Sequence, residues 1–476
     1  MVNINKSNKK NICCIGAGYV GGPTMSMIAH KCPNTKITVV DINQKRIDLW
    51  NSDDLKKLPI FEPGLKEIIS QVRGKNLFFS TNVKDAISFA DIIFLSVNTP
   101  TKIKGIGSGK ASNLQYLEKS VREIAQYSKG HTIIVEKSTV PVRTAEIIKS
   151  ILSTTNKAIN NTNKKSYSVI SNPEFLSEGS AIKDLENPDR VLIGGEDQNA
   201  IDEISDLYKL WVPKERIIKT NLWSSELSKL AANAFLAQKV SSINSIGAIC
   251  EKTGADIKEV AKAIGTDKRI GRKFLDVGPG FGGSCFKKDI MSLVYLCNFY
   301  RLDEVAKYWE NVLVINNWQQ ERISRLIIEK LFGTVENKKI AILGFAFKAN
   351  TNDIRESPAI KVSKDLLLEG AKLSIYDPKV EEYKIYEELN DFDKLIPQNQ
   401  SRDLWEQVTS IEKALSGADA AVILTEWDEF KRLNWDKLSS LMRKPAWIFD
   451  TRNILDISKL HLKNINIWIN GKDIDS

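Results

Sequence analysis

The first 150 residues alternate short apolar segments with longer segments of mixed polarity. The short ones are rich in Val, Ile and Phe, as buried β-strands are, and the longer ones repeat apolar residues at helical spacing. The strands predicted there are NICCIGAG, KITVVDI, NLFFST, DIIFLSV and HTIIVEKS, and a further predicted strand, YSVISNP, begins at residue 167. Because parallel strands need long crossovers, the alternation predicts a parallel sheet with helices on both faces. The polar, Asn- and Lys-rich stretch 153–166 is predicted to be an exposed loop without function.

The pattern changes to continuous helical spacing from residue 221 to residue 332, with a glycine-rich loop at 278–283 as an interruption. Strands then return as KKIAILGFAF, AKLSIYDP, AAVILTEW and AWIFDTRN, again separated by helical segments. We therefore predict an α/β protein in which a central helical domain joins two Rossmann-like, doubly wound parallel-sheet domains. The predicted domains are 1–220, 221–332 and 333–476.

Composition and charge narrow the functional classes. A chain of 476 residues is too long for one core, and its 42% hydrophobic and 27% charged residues are typical of globular proteins. The net charge of +9 favours anionic ligands, but the lysines are scattered, so no nucleic-acid partner is expected. Since neither a membrane-spanning apolar run nor a signal-like N-terminus is present, we expect a cytoplasmic protein without a membrane partner.

The cysteines and histidines do not form a recognisable metal or disulfide pattern. The six cysteines show no CxxC pair, so reduced thiols and no zinc site are expected. Only three histidines are present, which leaves little material for a Ser-His-Asp triad or a metal centre.

A dinucleotide-binding fingerprint follows the first predicted strand. Residues 16–21 read GAGYVG, and Asp41 ends the next strand twenty residues after Gly21. Such glycines let the backbone approach a pyrophosphate at a helix N-terminus, and the acid accepts hydrogen bonds from the adenine ribose. Asp41 favours NAD over NADP because a carboxylate repels a 2′-phosphate, although Arg46 nearby weakens that preference.

Cys285 lies in the glycine-rich segment GFGGSCFKKD, where a ligand can approach the thiol. We predict that Ser284 caps a helix beginning at Cys285 and that Asp289 lies one turn later on the same face. A nearby carboxylate tends to raise a thiol's pKa, so Asp289 is expected to orient a water or a lysine. Lys287 or another cation could offset its charge.

Three polar residues recur at helical spacing in SSELSKLAANAF: Glu226, Lys229 and Asn233. They could share one face of the helix, either solvated or functional. The alanine-rich continuation favours a buried helix, in which Lys229 would need a partner. A nucleotide site and a nucleophilic thiol on one chain suggest an enzyme that oxidises an alcohol beyond the aldehyde.

Long motifs across nearly the whole chain resemble the UDP-glucose/GDP-mannose dehydrogenase family, and its eukaryote-type UDP-glucose members most closely. They are NICCIGAGYVGGPT, SVNTPT, EKSTVPVR, SNPEFLSEG, WSSELSKLAANAFLAQ, GFGGSCFKKD, ILGFAFK and YDPKV. The resemblance implies four-electron oxidation of UDP-glucose to UDP-glucuronate with two NAD, through a thiohemiacetal and a thioester on Cys285. It also implies a homodimer, formed through the central domain, that assembles into a homohexamer.

The resemblance assigns roles to individual residues. As catalytic residues it implies Cys285, Lys229, Asp289, Glu174, Asn233 and Thr139. As cofactor contacts it implies Gly16, Ala17, Gly18, Tyr19, Val20, Gly21, Asp41, Arg46, Val97, Asn98, Thr99, Pro100, Thr101, Ser138, Thr139, Val140, Glu178, Cys285 and Arg355. As substrate contacts it implies Glu174, Phe175, Leu176, Lys229, Asn233, Arg269, Asp276, Gly278, Phe281, Gly282, Phe347, Lys348 and Arg452, with Arg269 entering the partner subunit's site.

Several alternatives stay open at this point. Glu174, Lys229 or an activated water could take the first proton. Asp276 departs from the lysine that similar enzymes often carry, which leaves the substrate-loop contacts undecided. A dehydrogenase for another sugar nucleotide is the second enzymatic reading. An inactive nucleotide-sensing protein is the third, and the intact Cys285, Lys229 and Asp289 argue against it.

Overall fold

A computed structural model describes residues 10–158, 165–390, 404–456 and 465–473. The chain divides into two compact units. The first consists of Met1–Ala232 with Met291–Arg301, and the second of Asn233–Ile290 with Leu302–Ser476.

The described residues of the first unit form an eight-stranded sheet in the order β3-β2-β1-β4-β5-β6-β7-β8. Its strands are β1 (Asn11–Ile15), β2 (Lys36–Val40), β3 (Leu77–Ser80), β4 (Ile92–Leu95), β5 (His131–Glu136), β6 (Ser166–Ser171), β7 (Val191–Gly195) and β8 (Ile217–Thr220). From β3 to β6 every pairing is parallel, which is the doubly wound arrangement predicted from the sequence. The carboxyl ends of β1, β4 and β5 therefore share one edge.

Helices cover both faces of this sheet and bury two apolar clusters. They are α1 (Gly21–Lys31), α2 (Gln44–Asn51), α3 (Leu65–Val72), α4 (Val83–Ser88), α5 (Gln115–Tyr127), α6 (Thr144–Ala158), α7 (Ala181–Glu186) and α8 (Gln198–Lys209). One cluster includes Ile12 and Trp50, and the other includes Cys13 and Leu117. Neighbouring residues of β1 thus point to opposite faces, as the strand period requires.

Three details of the first unit differ from the sequence prediction. Strand β7 pairs antiparallel with β6, so the sheet is not wholly parallel. Strands β7 and β8 were not among the predicted strands; β7 is largely buried, whereas β8 has no buried residue. The loop predicted at 153–166 begins later, because α6 continues to Ala158 and β6 already starts at Ser166. Residues 159–164 lie outside the described residues.

Long helices follow the first sheet, as the sequence predicts. They are α9 (Leu222–Thr253), α10 (Ile257–Thr266), α11 (Phe286–Phe299) and α12 (Asp303–Lys330). Ile323 and Ile327 of α12 are buried in the core of the second unit. No helix within the described ranges is long and apolar enough to cross a membrane.

A second sheet, within the second unit, has the parallel order β11-β10-β9-β12-β13-β14 in its described residues. Its strands are β9 (Lys339–Leu343), β10 (Lys372–Tyr376), β11 (Trp405–Gln407), β12 (Ala420–Ile423), β13 (Ala446–Asp450) and β14 (Ile465–Ile469). The accompanying helices are α13 (Pro358–Leu368), α14 (Glu382–Leu389), α15 (Ile411–Leu415), α16 (Asp428–Lys431) and α17 (Trp435–Leu438). The order repeats that of the first six strands of the chain, which supports the predicted pair of Rossmann-like sheets.

Candidate active site

The turn between β1 and α1 contains three glycines with different tasks. Gly16 has a φ of +110°, and a Cβ there would lie 2.3 Å from the carbonyl oxygen of Ser96. A Cβ at Gly21 would lie 2.0 Å from the carbonyl oxygen of Gly16, so this glycine permits close packing of helix against turn. At Gly18, no heavy atom of the described residues lies within 4 Å of the Cβ position. The middle glycine thus leaves the space that a pyrophosphate needs at the start of α1.

Asp41 directly follows β2 and lies beside this turn. Its Oδ2 accepts a hydrogen bond from the backbone N–H of Ala17 at 3.0 Å and pairs with Nη1 of Arg46 at 2.9 Å. Its Oδ1 accepts the backbone N–H of Asn43 at 2.9 Å. The carboxylate is therefore held in one orientation next to the glycine turn, as an acid that binds the adenine ribose must be. In this structure the guanidinium of Arg46 therefore forms its ion pair with Asp41.

Two loops at the carboxyl edge of the first sheet are tied together. The Ser138 hydroxyl donates to the carbonyl oxygen of Val97, and the Thr99 hydroxyl donates to that of Thr139, both at 2.7 Å. One loop follows β4 and the other β5, and these strands are adjacent. Nucleotides bind at this edge in doubly wound proteins. The candidates placed there are Val97, Asn98, Thr99, Pro100, Thr101, Ser138, Thr139 and Val140.

Thr139, Glu174 and Lys229 form a buried polar cluster in the first unit. Nζ of Lys229 lies 3.2 Å from Oε1 of Glu174, and the Thr139 hydroxyl donates to the same oxygen at 3.3 Å. None of the three is more than 9% exposed. Nζ of Lys229 also lies 5.4 Å from the ring centroid of Phe175, whose ring the guanidinium of Arg190 covers at 3.7 Å. One face of α9 is buried and brings Lys229 to a carboxylate, which offsets the cost of its desolvated charge, whereas residues such as Phe235 on the same helix are exposed.

Asn233 lies in the same helix but belongs to the second unit, where it binds Asp289. Its Nδ2 donates to Oδ2 of Asp289 at 2.6 Å, and Nζ of Lys288 donates to Oδ1 at 2.8 Å. Asp289 is completely buried. Lys287, the cation named from the sequence, instead pairs with Glu356 at 2.8 Å. Of these two lysines, Lys288 is therefore the one that donates to the carboxylate.

Cys285 precedes α11, which begins at Phe286. The predicted helix start is therefore wrong by one residue: the carbonyl of Cys285 accepts the first helical hydrogen bond, from the N–H of Asp289 at 2.8 Å. Cys285 rather than Ser284 holds the N-cap position, and the Ser284 hydroxyl lies 3.5 Å from Sγ. None of the six cysteines, all of them among the described residues, forms a disulfide, and Cys285 is the one that is not buried. It is the thiol that a ligand can reach.

The glycines ahead of Cys285 are required by neighbouring protein atoms. A Cβ at Gly282 would lie 2.4 Å from the carbonyl oxygen of Glu356. Gly283 has a φ of +84°, and a Cβ there would lie 3.0 Å from the ring of Phe347. The glycine pattern that predicted an approachable sulfur thus has a packing cause as well.

A cavity of about 320 Å³ in the second unit is lined by charged side chains. Arg452 is oriented there by donating to the carbonyl oxygens of Leu424 and Phe347, at 2.8 and 2.9 Å. Asp276 pairs with Arg272 at 2.6 Å. The other charged lining residues are Lys258, Glu426 and Lys431. The excess of cations suits a diphosphate group.

The remaining candidates are separated between the two units. Arg355 and Cys285, predicted to contact the cofactor, belong to the second unit, whereas the other predicted cofactor residues belong to the first. Arg355 forms a two-pronged pair with Asp353, with contacts of 2.7 and 2.8 Å. Arg269 is 89% exposed and pairs with Asp267.

Sequence reasoning missed two functional neighbours, Lys288 and Arg272. Arg272 lies four residues before Asp276, a spacing that could have suggested this pair. Lys288 directly precedes Asp289, a spacing that gives no such signal in a helix. It also grouped Glu226 with Lys229 and Asn233 on one face, whereas Glu226 accepts backbone N–H groups of Arg143 and Ala145. Each of the three binds a different partner.

A doubly wound sheet, a glycine turn with space for a pyrophosphate and an acid after the second strand define a dinucleotide-binding protein of the dehydrogenase class. The UDP-glucose/GDP-mannose dehydrogenase family matches the chain in three parts: its NAD binding domain at residues 10–212, its central domain at 223–318 and its UDP binding domain at 341–457. The chain belongs to this family. It is an NAD-dependent oxidoreductase with a UDP-binding domain.

Named relatives agree with this assignment. The chain is 55% identical to the UDP-glucose 6-dehydrogenase of Mus musculus, over 98% of this chain and 94% of the relative. It is 53% identical to UDP-glucose 6-dehydrogenase 1 of Arabidopsis thaliana, over 98% of both chains. The solved UDP-glucose dehydrogenase of the hyperthermophilic archaeon Pyrobaculum islandicum is 27% identical with a TM-score of 0.83, covering 99% of this chain and all of that one.

Proposed function

We propose that this protein oxidises UDP-glucose to UDP-glucuronate in two NAD-dependent steps, with Cys285 as the covalent nucleophile. The observation that carries the proposal is the similarity over 98% of the chain to enzymes named for UDP-glucose. A partly exposed thiol at a helix N-cap and two buried lysine–carboxylate contacts, at Glu174 and Asp289, support it chemically.

The proposed steps balance as follows. The first oxidation removes a hydride from the C6 carbon and a proton from its hydroxyl, which leaves an aldehyde. The thiol of Cys285 adds to that carbonyl and gives a thiohemiacetal. A second hydride and proton loss gives a thioester, and water cleaves the thioester to the carboxylate and the free thiol. NAD supplies the acceptor for both hydrides when bound.

The side chains of the two polar clusters have distinct proposed roles. Lys229 and Asn233 stabilise the developing negative charge on the C6 oxygen. Asp289 orients Asn233 through the 2.6 Å hydrogen bond, and Lys288 balances its charge. Glu174, Lys229 and a water held by them are the candidate proton acceptors, with Thr139 fixing the carboxylate of Glu174.

Self-association is the second part of the proposal. Long apolar side chains are exposed on α9 and α12, among them Phe235, Tyr308 and Trp318. Monomers rarely leave such a surface uncovered, so we propose a homodimer through these helices, with Arg269 reaching the partner's site, and a homohexamer built from dimers. The free cysteines suit a cytoplasmic location.

The function is tested by following NADH with UDP-glucose, UDP-N-acetylmannosamine and GDP-mannose as separate substrates. The proposal expects about two NADH per UDP-glucose, since two hydrides leave each sugar. A ratio of one denies the second oxidation, and preference for another sugar nucleotide reassigns the substrate.

The nucleophile is tested with Cys285→Ser. This variant should lose turnover by orders of magnitude while NAD binding, measured by fluorescence titration, persists. Cys297→Ser is the matched control, because Cys297 is a buried thiol in α11 and should keep activity. Normal turnover in Cys285→Ser removes the covalent mechanism.

A further inference from the structure

Lys137 carries a buried amine to which the proposed mechanism gives no role. It follows β5 directly and is 4% exposed. Its Nζ donates to Oδ1 of Asn172 at 3.1 Å and to the hydroxyl of Tyr208 at 3.3 Å. In the part of the chain that the structure describes, no carboxylate lies within ion-pair distance of this amine. Burying a cation without a direct counter-ion costs free energy, so a lysine at this position needs a physical explanation.

The hydrogen bonds of Lys137 join two turns of the candidate site. Lys137 lies two residues before Thr139, and Asn172 lies two residues before Glu174. The Lys137–Asn172 bond connects these turns on one side, and the Thr139–Glu174 bond of 3.3 Å connects them on the other. Tyr208 braces Asn172 by donating to its Oδ1 at 2.8 Å. Lys137 thus helps to set the position of the Glu174 carboxylate.

Charged and titratable groups face the amine from four elements. They are Cys14 on β1, Glu174 after β6, Tyr208 on α8 and Lys229 on α9. Burial lowers the pKa of Lys137 to about 8, the charge of Glu174 opposes this, and the like charge of Lys229 adds to it. Such interactions are reciprocal, so a positive Lys137 disfavours proton uptake by Lys229 and by Glu174 alike.

We propose that Lys137 is a positioning residue for the Glu174–Lys229 pair, and that its buried positive charge lowers the proton affinity of whichever member accepts the substrate's proton. This inference rests on the proposed function, because it presumes proton removal at that pair. A neighbouring cation makes a base deprotonated at lower pH and extends the active pH range downward.

Three variants separate charge from packing. Lys137→Gln keeps an N–H donor for Asn172 and removes the charge, whereas Lys137→Arg keeps the charge. Tyr208→Phe removes the hydroxyl brace and leaves the charge in place. In Lys137→Gln the acidic limb of the pH profile of kcat should move to higher pH by about one unit. At a fixed pH on that limb, kcat should therefore fall about tenfold. The limb should stay in place in Lys137→Arg and Tyr208→Phe.

An unmoved acidic limb in a folded Lys137→Gln enzyme that still binds NAD overturns the proposal. If that variant does not fold, Lys137→Met serves for the same comparison. Equal shifts in Tyr208→Phe and Lys137→Gln also overturn it, because geometry rather than charge would then set the limb.

A second measurement needs no substrate. The folded pKa of Lys137, about 8, lies below its ordinary value of 10.5, so the folded chain binds fewer protons than the unfolded chain between those values. Stability of the wild type relative to Lys137→Gln should therefore rise as the pH increases through this window. A constant difference would contradict the lowered pKa of Lys137, and with it the desolvated position of the amine beside Lys229 from which the proposal argues. Failure of the wild type to oxidise UDP-glucose would instead remove the proposed function and leave this result intact.

Discussion

Asp289 depends on its immediate neighbours because its carboxylate has no contact with solvent. Asn233 contributes a neutral donor and Lys288 a charged one. The adjacent Lys287 has a side chain that is 53% exposed and pairs with an exposed glutamate. We therefore expect Lys288 to contribute more to the free energy of unfolding than Lys287, although the two lysines are adjacent in the sequence.

We predict that Lys288→Met lowers the free energy of unfolding by about 3 kcal/mol, because it leaves a buried carboxylate without its cation. Lys287→Met is the matched control and should change it by at most about 1 kcal/mol, since exposed ion pairs contribute little. Urea denaturation of both variants measures the difference. Equal effects would contradict the assigned pairing.

For individual residues, the sequence predicted which side chains belong to the candidate site better than it predicted their contacts. Cys285, Asp289, Lys229 and Asn233 were found from motif and spacing. Their partners were not, since whether Lys287 or Lys288 reaches Asp289 depends on the side-chain conformations that packing around α11 allows.

The start of α6 is held by a side chain from α9. Glu226 accepts the backbone N–H of Arg143 at 2.6 Å and that of Ala145 at 2.8 Å, and thereby caps α6. Arg143 has a φ of +77°, an uncommon value for a residue with a side chain. Glu136 at the end of β5 is buried beside Glu226. Burial, followed by the neighbouring charge of Glu226, raises the pKa of Glu136 well above its ordinary value.

This carboxyl pair predicts a pH-dependent stability. Because the folded pKa of Glu136 exceeds its ordinary value of 4.5, the folded chain binds more protons than the unfolded chain above that pH. Its contribution to stability is thus present at low pH and is lost as the pH rises through the folded pKa. Glu136→Gln does not titrate, so its stability relative to the wild type should increase with pH in urea denaturation. A difference that does not change with pH would contradict this prediction.

Most strands with clear apolar patterns were predicted, but β7 and β14 were missed although both contain several apolar residues. Strands β1 and β9 are buried along nearly their whole length and carried clear signals. Strand β11 has three residues, none fully buried, and escaped notice. Short edge strands are stabilised by backbone pairing, which leaves little trace in the side-chain pattern.

Exposed aromatic residues on the central helices are the basis for the proposed self-association of the whole molecule. Phe235 is 58% exposed and stacks edge-on with Trp309 at 5.4 Å, and Tyr308 is 51% exposed. We predict that Phe235→Glu shifts the assembly toward monomers, because a charge in an apolar interface loses its hydration without gaining a partner. Phe89→Glu is the control, since Phe89 is exposed outside these helices. Sedimentation velocity distinguishes the two, and an unchanged assembly in Phe235→Glu would place the interface elsewhere.

The amino-acid sequence by itself determined the paired Rossmann-like sheets, the helical middle, the NAD fingerprint and the partly exposed cysteine. These depend on periodicity and on short motifs, whose physical cause is local. The tertiary structure alone decided that Lys288 pairs with Asp289, that Glu226 caps α6 and that Lys137 connects the turns bearing Thr139 and Glu174. Such contacts join residues from separate elements, and their directions are set by packing that no local pattern records.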